Sequence, residues 1–350
     1  MIRAEARIST SAIERNCARL AALAPLCAVV KANGYGHGAV EAARAAQRGG
    51  ASWLAVATAV EAAELRAAGI EGPLLVMGAL SPSELEIALQ ARADVVAWSE
   101  AFVAGLEGDV GVHVKLDSGM GRLGTRDPEE ATRVAEAVKA RGLRLAGAMT
   151  HFATADDDPQ FMAAQLARFV PWADSLGVMR HAANSAAALA HPEARLDMIR
   201  CGIAIYGMDP FHINPAEHGL EPALELVSYV AEVKRAQPGD SVGYGRRFIA
   251  QQPTWIGTIP IGYGDGYRRG LTGRGDVLVG GRRVPLAGTI SMDNITVDLG
   301  DEPVERGTEA VLIGARGSER ILAEELATAL GTINYEVTCG ISSRVPRRHL

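Results

Sequence analysis

Cysteine is scarce in this 350-residue sequence, which has only Cys17, Cys27, Cys201 and Cys339. They lie far apart and form no C-x-x-C pair, so the spacing of a structural zinc site is absent and a disulfide framework is not expected. A basic surplus is missing too. The net charge is −6, a poor match for a polyanionic partner, which argues against nucleic-acid binding. No apolar run approaches the length of a bilayer span, and no membrane partner is expected. The opening residues MIRAEARIST lack the apolar stretch of a secretory leader, so the expectation is a soluble cytoplasmic protein. Apolar residues are plentiful at 48% against 22% charged, the balance of a globular rather than a disordered chain. The length suggests about two domains and suffices for a core without disulfides or metal.

Residues 1–210 repeat one theme: a short apolar run, a loop, then an Ala-rich amphipathic stretch. Strands are expected near Cys27–Ala32, Trp53–Thr58, Pro73–Gly78, Asp94–Trp98, Gly111–Asp117, Leu143–His151, Val178–Ser185 and Ile199–Gly207. Helices are expected at Ser9–Leu23, Ala39–Arg48, Val60–Ala68, Ser81–Ala91, Asp127–Arg141 and Asp158–Leu176. The run Ser81-Pro82-Ser83-Glu84 has the capping serine, first-turn proline and returning carboxylate of a helix start. Eight short, even units fit an α/β fold closed as a (β/α)8 TIM-like barrel better than an open doubly wound sheet. After about Leu220 the texture becomes short strands and turns, with runs at Leu224–Lys234, Trp255–Ile261, Val277–Val279, Arg283–Leu286, Ile295–Leu299 and Val311–Ile313, and one helix at Ala323–Leu330. The expected organisation is a barrel over 1–219 and a mainly β domain over 220–350.

In such a barrel, residues at the C-terminal ends of strands face the active site. Lys31 closes the first apolar strand. A lone lysine there usually snorkels to solvent, but a desolvated amine is ready to form a Schiff base, and Gly34, Gly36 and Gly38 leave room for something bulky. Ser185, Gly202 and Ile203 fall in the loops after strands seven and eight, where barrels often bind phosphate. A lysine and a phosphate cup together point to pyridoxal phosphate. A rival signal is Gly119-Met120-Gly121-Arg122-Leu123-Gly124, which matches G-x-G-x-x-G. It lies mid-chain, and the following strand ends in Thr150-His151 where a dinucleotide site wants an acidic residue.

The stretches AVVKANGYGHG (28–38), KLDSGMGRLG (115–124), THFATAD (150–156), NSAA (184–187), RCGIAIYG (200–207), VGYG (242–245), IGYGDGY (261–267), SMD (291–293) and residues 334–348 run in one order along the whole chain. In this the sequence resembles the alanine racemases, fold-type III pyridoxal phosphate enzymes. The resemblance implies pyridoxal 5'-phosphate held covalently by Lys31. Tyr35, Ser185, Gly202, Ile203 and Tyr335 would hold its phosphate, and Arg200 its pyridine nitrogen. Tyr244, from a partner subunit, would be the second acid/base group, coupled to Arg200 through His151. Arg122 and the backbone of a partner's Met292 would bind the substrate carboxylate. Tyr263 would line the entrance. Lys115 matches a lysine often carbamylated in the family, whose negative charge would orient Arg122. The implied active form is a head-to-tail homodimer, with no metal, making D-alanine for peptidoglycan.

Bottom-up chemistry agrees with that picture. Racemisation takes a proton from one face of Cα and returns one to the other, which two acid/base groups do naturally. Tyrosine titrates near pH 10, so Tyr244 needs help from its surroundings. Arginine is a poor proton donor, so Arg200 in the role the resemblance implies would leave the pyridine a weaker electron sink than a carboxylate would, which is expected to suppress transamination. Against this stand a decarboxylase of basic amino acids, a non-catalytic cofactor carrier and a racemase of broader range. Gly34, Thr289 and Ser291 depart from the family pattern and bear on substrate breadth. His37, His113, His181, His191 and His212 read as structural or surface residues, and Asp265 and Asp293 as loop anchors.

Overall fold

A computed structural model describes residues 2–350. The chain forms two compact units, one of Ser11–Glu221 and one that joins residues 2–10 to Pro222–Leu350. The first strand, β1 (Glu5–Ile8), belongs to the second unit. Eight parallel strands build the first: β2 (Leu26–Val29), β3 (Ala51–Val56), β4 (Leu74–Val76), β5 (Asp94–Ala97), β6 (Gly111–Lys115), β7 (Arg144–Met149), β8 (Met179–His181) and β9 (Ile199–Cys201). They pair in the order β8-β7-β6-β5-β4-β3-β2-β9. The seam between the outer two is bridged by the N–H groups of Asp197 and Arg200, which donate to Arg180 and Ala183 carbonyls at 3.1 and 2.9 Å. This is a (β/α)8 barrel. Its helices bury small-residue faces: Pro128–Ala140 turns Ala131, Val134, Ala135 and Val138 inward at i, i+3, i+4 and i+7. The expected cap forms, with Ser81 and Glu84 exchanging bonds at one helix start, and Thr58 and Glu61 form a second one at another.

Two expectations need correction here. The barrel was expected to begin at residue 1, but β1 pairs antiparallel with Leu224–Tyr229 and parallel with Arg347–His349. Its buried Ala6 and Ile8 pack in the β unit, so residues 2–10 lie there. The first barrel strand was expected to run to Ala32. It stops at Val29, and the chain then winds left-handed through Ala32, Asn33, Gly34 and Tyr35, with φ of 52°, 52°, 62° and 52°. Left-handed backbone costs about 1–2 kcal/mol per non-glycine residue. The turn is held from outside itself. The Glu61 carboxylate accepts the Ala32 N–H at 2.6 Å, and the Asn33 side chain accepts the Ala39 N–H at 3.0 Å. Lys31 is therefore presented by a strained turn, not by a strand.

The second unit is mainly β. Its main sheet orders the strands 282–285, 276–279, 309–316, 224–229, 5–8 and 347–349, with 319–321 paired to 309–316. A three-stranded sheet joins 232–236, 254–259 and 295–300, and a hairpin pairs 241–242 with 248–249. The expected strand Leu224–Lys234 is thus two strands in two sheets, broken at Val230-Ala231. A helix at Asn334–Cys339 also went unread in the sequence.

Glu61 accepts three backbone N–H groups, those of Ala32, Ala57 and Thr58, at 2.6, 2.9 and 3.1 Å. Glu61→Ala is expected to lower stability by about 2 kcal/mol in urea unfolding, and Glu61→Gln by less, since the amide oxygen still reaches.

Candidate active site

The C-terminal mouth of the barrel holds a cavity of about 220 Å³ lined by Lys31, Ala57, Met77, Gly78, Lys115, Arg122, Leu123, Met149, His151 and Arg200. Five residues singled out in the sequence meet there. Lys31 starts the left-handed turn, Lys115 ends β6, Arg122 sits in the loop after it, His151 follows β7 and Arg200 is the middle residue of β9. The lining has four cationic side chains and no carboxylate.

Arg200 is buried, at 4% exposure. One guanidinium nitrogen donates to the Thr150 and Ala182 carbonyls at 2.8 and 3.0 Å and approaches His151 Nδ1 at 3.4 Å. The other lies 2.8 Å from His181 Nδ1. Burial pulls this guanidinium down to about 10, still protonated at neutral pH. Burial first, then the charges of Arg200, Lys115, Arg122 and Lys31, hold His151 well below its ordinary value. It is a neutral imidazole. Burial, reinforced by Arg200 and Arg122, brings the Lys115 amine down to about 8.

At the other end of the mouth, the Ser185 hydroxyl accepts the Gly202 and Ala204 N–H groups at 3.2 and 3.3 Å. A Cβ at Gly202 would lie 2.3 Å from the Tyr35 hydroxyl, so only glycine admits that phenol. The Tyr35 and Ser185 hydroxyls meet here beside the Gly202–Ala204 backbone with no acidic side chain among them, surroundings that suit a phosphate dianion. Lys31 in the same barrel mouth supplies the amine a pyridoxal aldehyde needs. These residues fit pyridoxal phosphate.

Tyr244, Tyr263, Met292 and Tyr335 belong to the β unit. Tyr244 tops a short turn at 73% exposure, and Tyr263 and Met292 are also exposed. Tyr244, Gly243, Thr289, Ser291, Asn294 and Thr296 line a cavity of about 360 Å³. The Thr289 hydroxyl donates to the Tyr244 carbonyl at 2.7 Å. Gly288 approaches this turn so closely that a Cβ on it would lie 2.5 Å from the Val242 carbonyl oxygen. The 262–265 and 291–294 loops are tied by the Tyr263 and Gly264 N–H groups donating to Ser291 and Met292 carbonyls. Asp265 anchors them through a paired bond from Arg3 at 2.7 and 2.8 Å, and Arg344 bonds Asp293 at 2.8 Å.

The glycine motif at 119–124 is not a nucleotide cradle. Asp117 turns back and accepts the Gly119 and Gly121 N–H groups, spending the donors a pyrophosphate would need. The next helix starts only at Pro128, under its own Asp127 cap. His113 and His181, read as structural or surface residues, are fully buried and lead to Arg200. The alternation in GVHVK carried the clue, since period two places His113 on the face of Lys115. The bonds Glu61 makes to the Lys31 turn had no counterpart in the sequence reading.

Comparison with known proteins is consistent along the chain. The family descriptions "Alanine racemase, N-terminal domain" and "Alanine racemase, C-terminal domain" match residues 8–210 and 223–349. The alanine racemase of Geobacillus kaustophilus is 43% identical over 97% of this chain and 92% of its own. Alanine racemase 1 of Bacillus subtilis is 42% identical over 99% and 92%. Among solved structures, the alanine racemase from E. faecalis superposes with a TM-score of 0.94 at 36% identity, covering 99% of this chain and 98% of that one. That from Bacillus anthracis, with bound L-Ala-P, gives 0.92 at 36%, covering 100% and 95%. None of these relatives supports the decarboxylase, the carrier or a broader substrate range. Among the described residues no helix is long and apolar enough to cross a membrane, and no cluster of three metal-binding side chains occurs.

His113, His151 and His181 are all held below their ordinary value in the folded chain. The unfolded chain therefore binds more protons below about pH 6.5, and folding stability is full above that pH and lost as the pH falls through it. Each histidine contributes a slope of at most about 1.4 kcal/mol per pH unit. Urea midpoints should fall as the pH drops from about 7 to 5; a flat profile would contradict neutral burial.

Proposed function

This chain belongs to the alanine racemase family, and we propose that its active form is a homodimer in which each barrel's site is completed by the other subunit's β unit. The enzyme interconverts L- and D-alanine with pyridoxal 5'-phosphate. The observation that carries the residue assignment is Arg200, a buried donor with no carboxylate beside it, in the same cavity as Lys31.

Lys31 holds the cofactor. Tyr35, Ser185, Gly202, Ile203 and Tyr335 take its phosphate, and Arg200 donates to its pyridine nitrogen. When bound, the ring draws electrons from the substrate's Cα and acidifies its proton. With the substrate bound, the Lys31 amine would move a proton on one face of Cα. The Tyr244 phenol from the partner subunit moves one on the other face. His151, kept neutral by burial and Arg200, faces the guanidinium through Nδ1 as an acceptor and so keeps an Nε2–H that can donate to the phenolic oxygen. Arg122 and the partner subunit's Met292 backbone hold the substrate carboxylate, and Tyr263 narrows the way in. The protein works in the cytoplasm and supplies D-alanine for peptidoglycan.

Lys115 has a further role in this reading. An amine brought down to about 8 has a neutral fraction at physiological pH that can add CO₂, forming an N–C bond and releasing one proton. The resulting anion beside Arg122 would orient that guanidinium. With ¹³C-bicarbonate, a carbamate resonance should appear that grows between about pH 7 and 9 and is absent from Lys115→Arg. Its absence from the unmodified protein would remove this role.

The shared site has a direct test. Lys31→Ala and Tyr244→Phe chains should each be nearly inactive in chiral analysis of L-alanine turnover. Unfolded and refolded together in equal amounts, they should recover about a quarter of wild-type activity, because half the dimers are mixed and each has one intact site. No recovery, with mixed dimers demonstrated, would show that both groups come from one chain.

A further inference from the structure

Arg200 is the end of a longer hydrogen-bonded chain that crosses the barrel interior. His181 Nδ1 faces Arg200 at 2.8 Å, His181 Nε2 faces His113 Nδ1 at 2.8 Å, and His113 Nε2 faces the Asp94 carboxylate at 3.4 Å. Asp94 also accepts from Arg144 at 2.7 Å. Asp94 and Arg144 are the first residues of β5 and β7, at the end of the barrel opposite the cavity. None of Asp94, His113, His181 or Arg144 lines the cavity.

The donors fix one direction. Arginine only donates, so His181 Nδ1 must accept and its proton sits on Nε2. That proton is given to His113 Nδ1, so the His113 proton also sits on Nε2 and points at Asp94. The reverse arrangement would leave His181 with no proton at all. Both rings are neutral, and every ring nitrogen is used once.

The sequence makes room for this chain at a cost to the sheet. The β6–β7 register slips between Val112 and His113, where Ala146 is the extra residue, and this sets Gly147 opposite His113. A Cβ at Gly147 would lie 2.5 Å from His113 Nδ1 and 3.1 Å from His181 Nε2, inside the bond between the rings. Trp53 packs edge-on against His113 with ring centres 5.4 Å apart. The charged groups facing the two rings are Asp94 and Arg144 at one end and Arg200 at the other. Burial and Arg200 hold His181 well below its ordinary value, and burial lowers His113 despite the carboxylate beside it.

We propose that Asp94 and His113 are positioning residues for the racemase reaction: through His181 they fix the orientation of Arg200 and strengthen its hold as a donor toward the cofactor's ring. A carboxylate behind an imidazole fixes its tautomer and makes the far nitrogen a better acceptor. Asp94 thus acts as the distant counter-charge of a guanidinium that has no carboxylate of its own. The proposal rests on Arg200 serving the pyridine nitrogen.

Its first test needs no activity. In cofactor-free protein labelled with ¹⁵N-histidine and assigned by single-histidine variants, His113 and His181 should both show the neutral Nε2–H tautomer between about pH 5.5 and 8. An Nδ1–H form at either ring, or titration of either in that range, overturns the proposal. The second test uses the loaded enzyme. Asp94→Asn should lower kcat about tenfold, the scale on which outer hydrogen-bond partners act, and leave KM within about twofold because Arg122 is not on the chain. Gly147→Ala should give the same split. Unchanged kcat in a folded, cofactor-loaded Asp94→Asn protein overturns the link to Arg200. Failure of the racemase reading itself would appear elsewhere, as no D-alanine from L-alanine in the unmodified protein.

Discussion

A guanidinium sealed inside a barrel without a carboxylate at its side sets the terms for the rest of the site. Burying an unpaired charge is expensive unless its donors are matched. Arg200 is matched by two carbonyls and two imidazoles, all neutral acceptors. The charge is therefore spread but not cancelled, and its neighbours respond. His151 and His181 are kept neutral, and the Lys115 amine gives up affinity for its proton. Burial is the largest cause of all three shifts and Arg200 adds to it, whereas a carboxylate at the same place would have opposed them. In the proposed arrangement it would also have favoured a protonated pyridine nitrogen, and so a stronger electron sink.

The same charge explains what the cavity is built to receive. Lys31, Lys115, Arg122 and Arg200 line it with no acid among them. Like charges at such range repel in a poorly screened interior. Every component assigned to the site relieves that repulsion: a lysine consumed in binding an aldehyde, an amine converted to a carbamate, a substrate that arrives with a carboxylate. In the proposed reading the phosphate is handled apart, around Ser185 and Gly202, and so would not compete for the cations. The site is in this sense assembled by its ligands, and the chain supplies the positive half.

Much of this was legible in the sequence, for identifiable reasons. Eight apolar runs alternating with Ala-rich helices read as a barrel because each pattern is local and has its own period. The residues that meet in the cavity sit at the ends of those runs, so Lys31, Lys115, His151 and Arg200 followed once the strands were placed. What escaped was non-local. The strand Glu5–Ile8 is only four residues, and its partners lie more than 200 positions away. The break at Val230-Ala231 divides one continuous β-favouring run between two sheets, which no propensity marks. The left-handed turn at 32–35 depends on a carboxylate from the helix Ala59–Ala67, which follows the next barrel strand. His113 and His181 look inert singly and acquire meaning only when a barrel brings strands six, eight and nine within hydrogen-bond reach.

The β unit adds the constraint that the barrel alone lacks. An exposed phenol in water titrates near pH 10 and loses a proton too reluctantly to serve at neutral pH. Tyr244 is 73% exposed on its own chain, yet its turn is built with care. Gly288 packs against the preceding carbonyl, the Thr289 hydroxyl holds the Tyr244 carbonyl, and a small core of Ala236, Ala250, Ile256 and Ala287 backs the hairpin. Rigid presentation of a solvent-facing tyrosine makes little sense for a packing residue, which would be buried, or for a surface residue, which would be left loose. It does make sense for a group delivered, as proposed, into another subunit's cavity. Docking would then complete the site, and a chain on its own would carry both halves of the chemistry without either being usable.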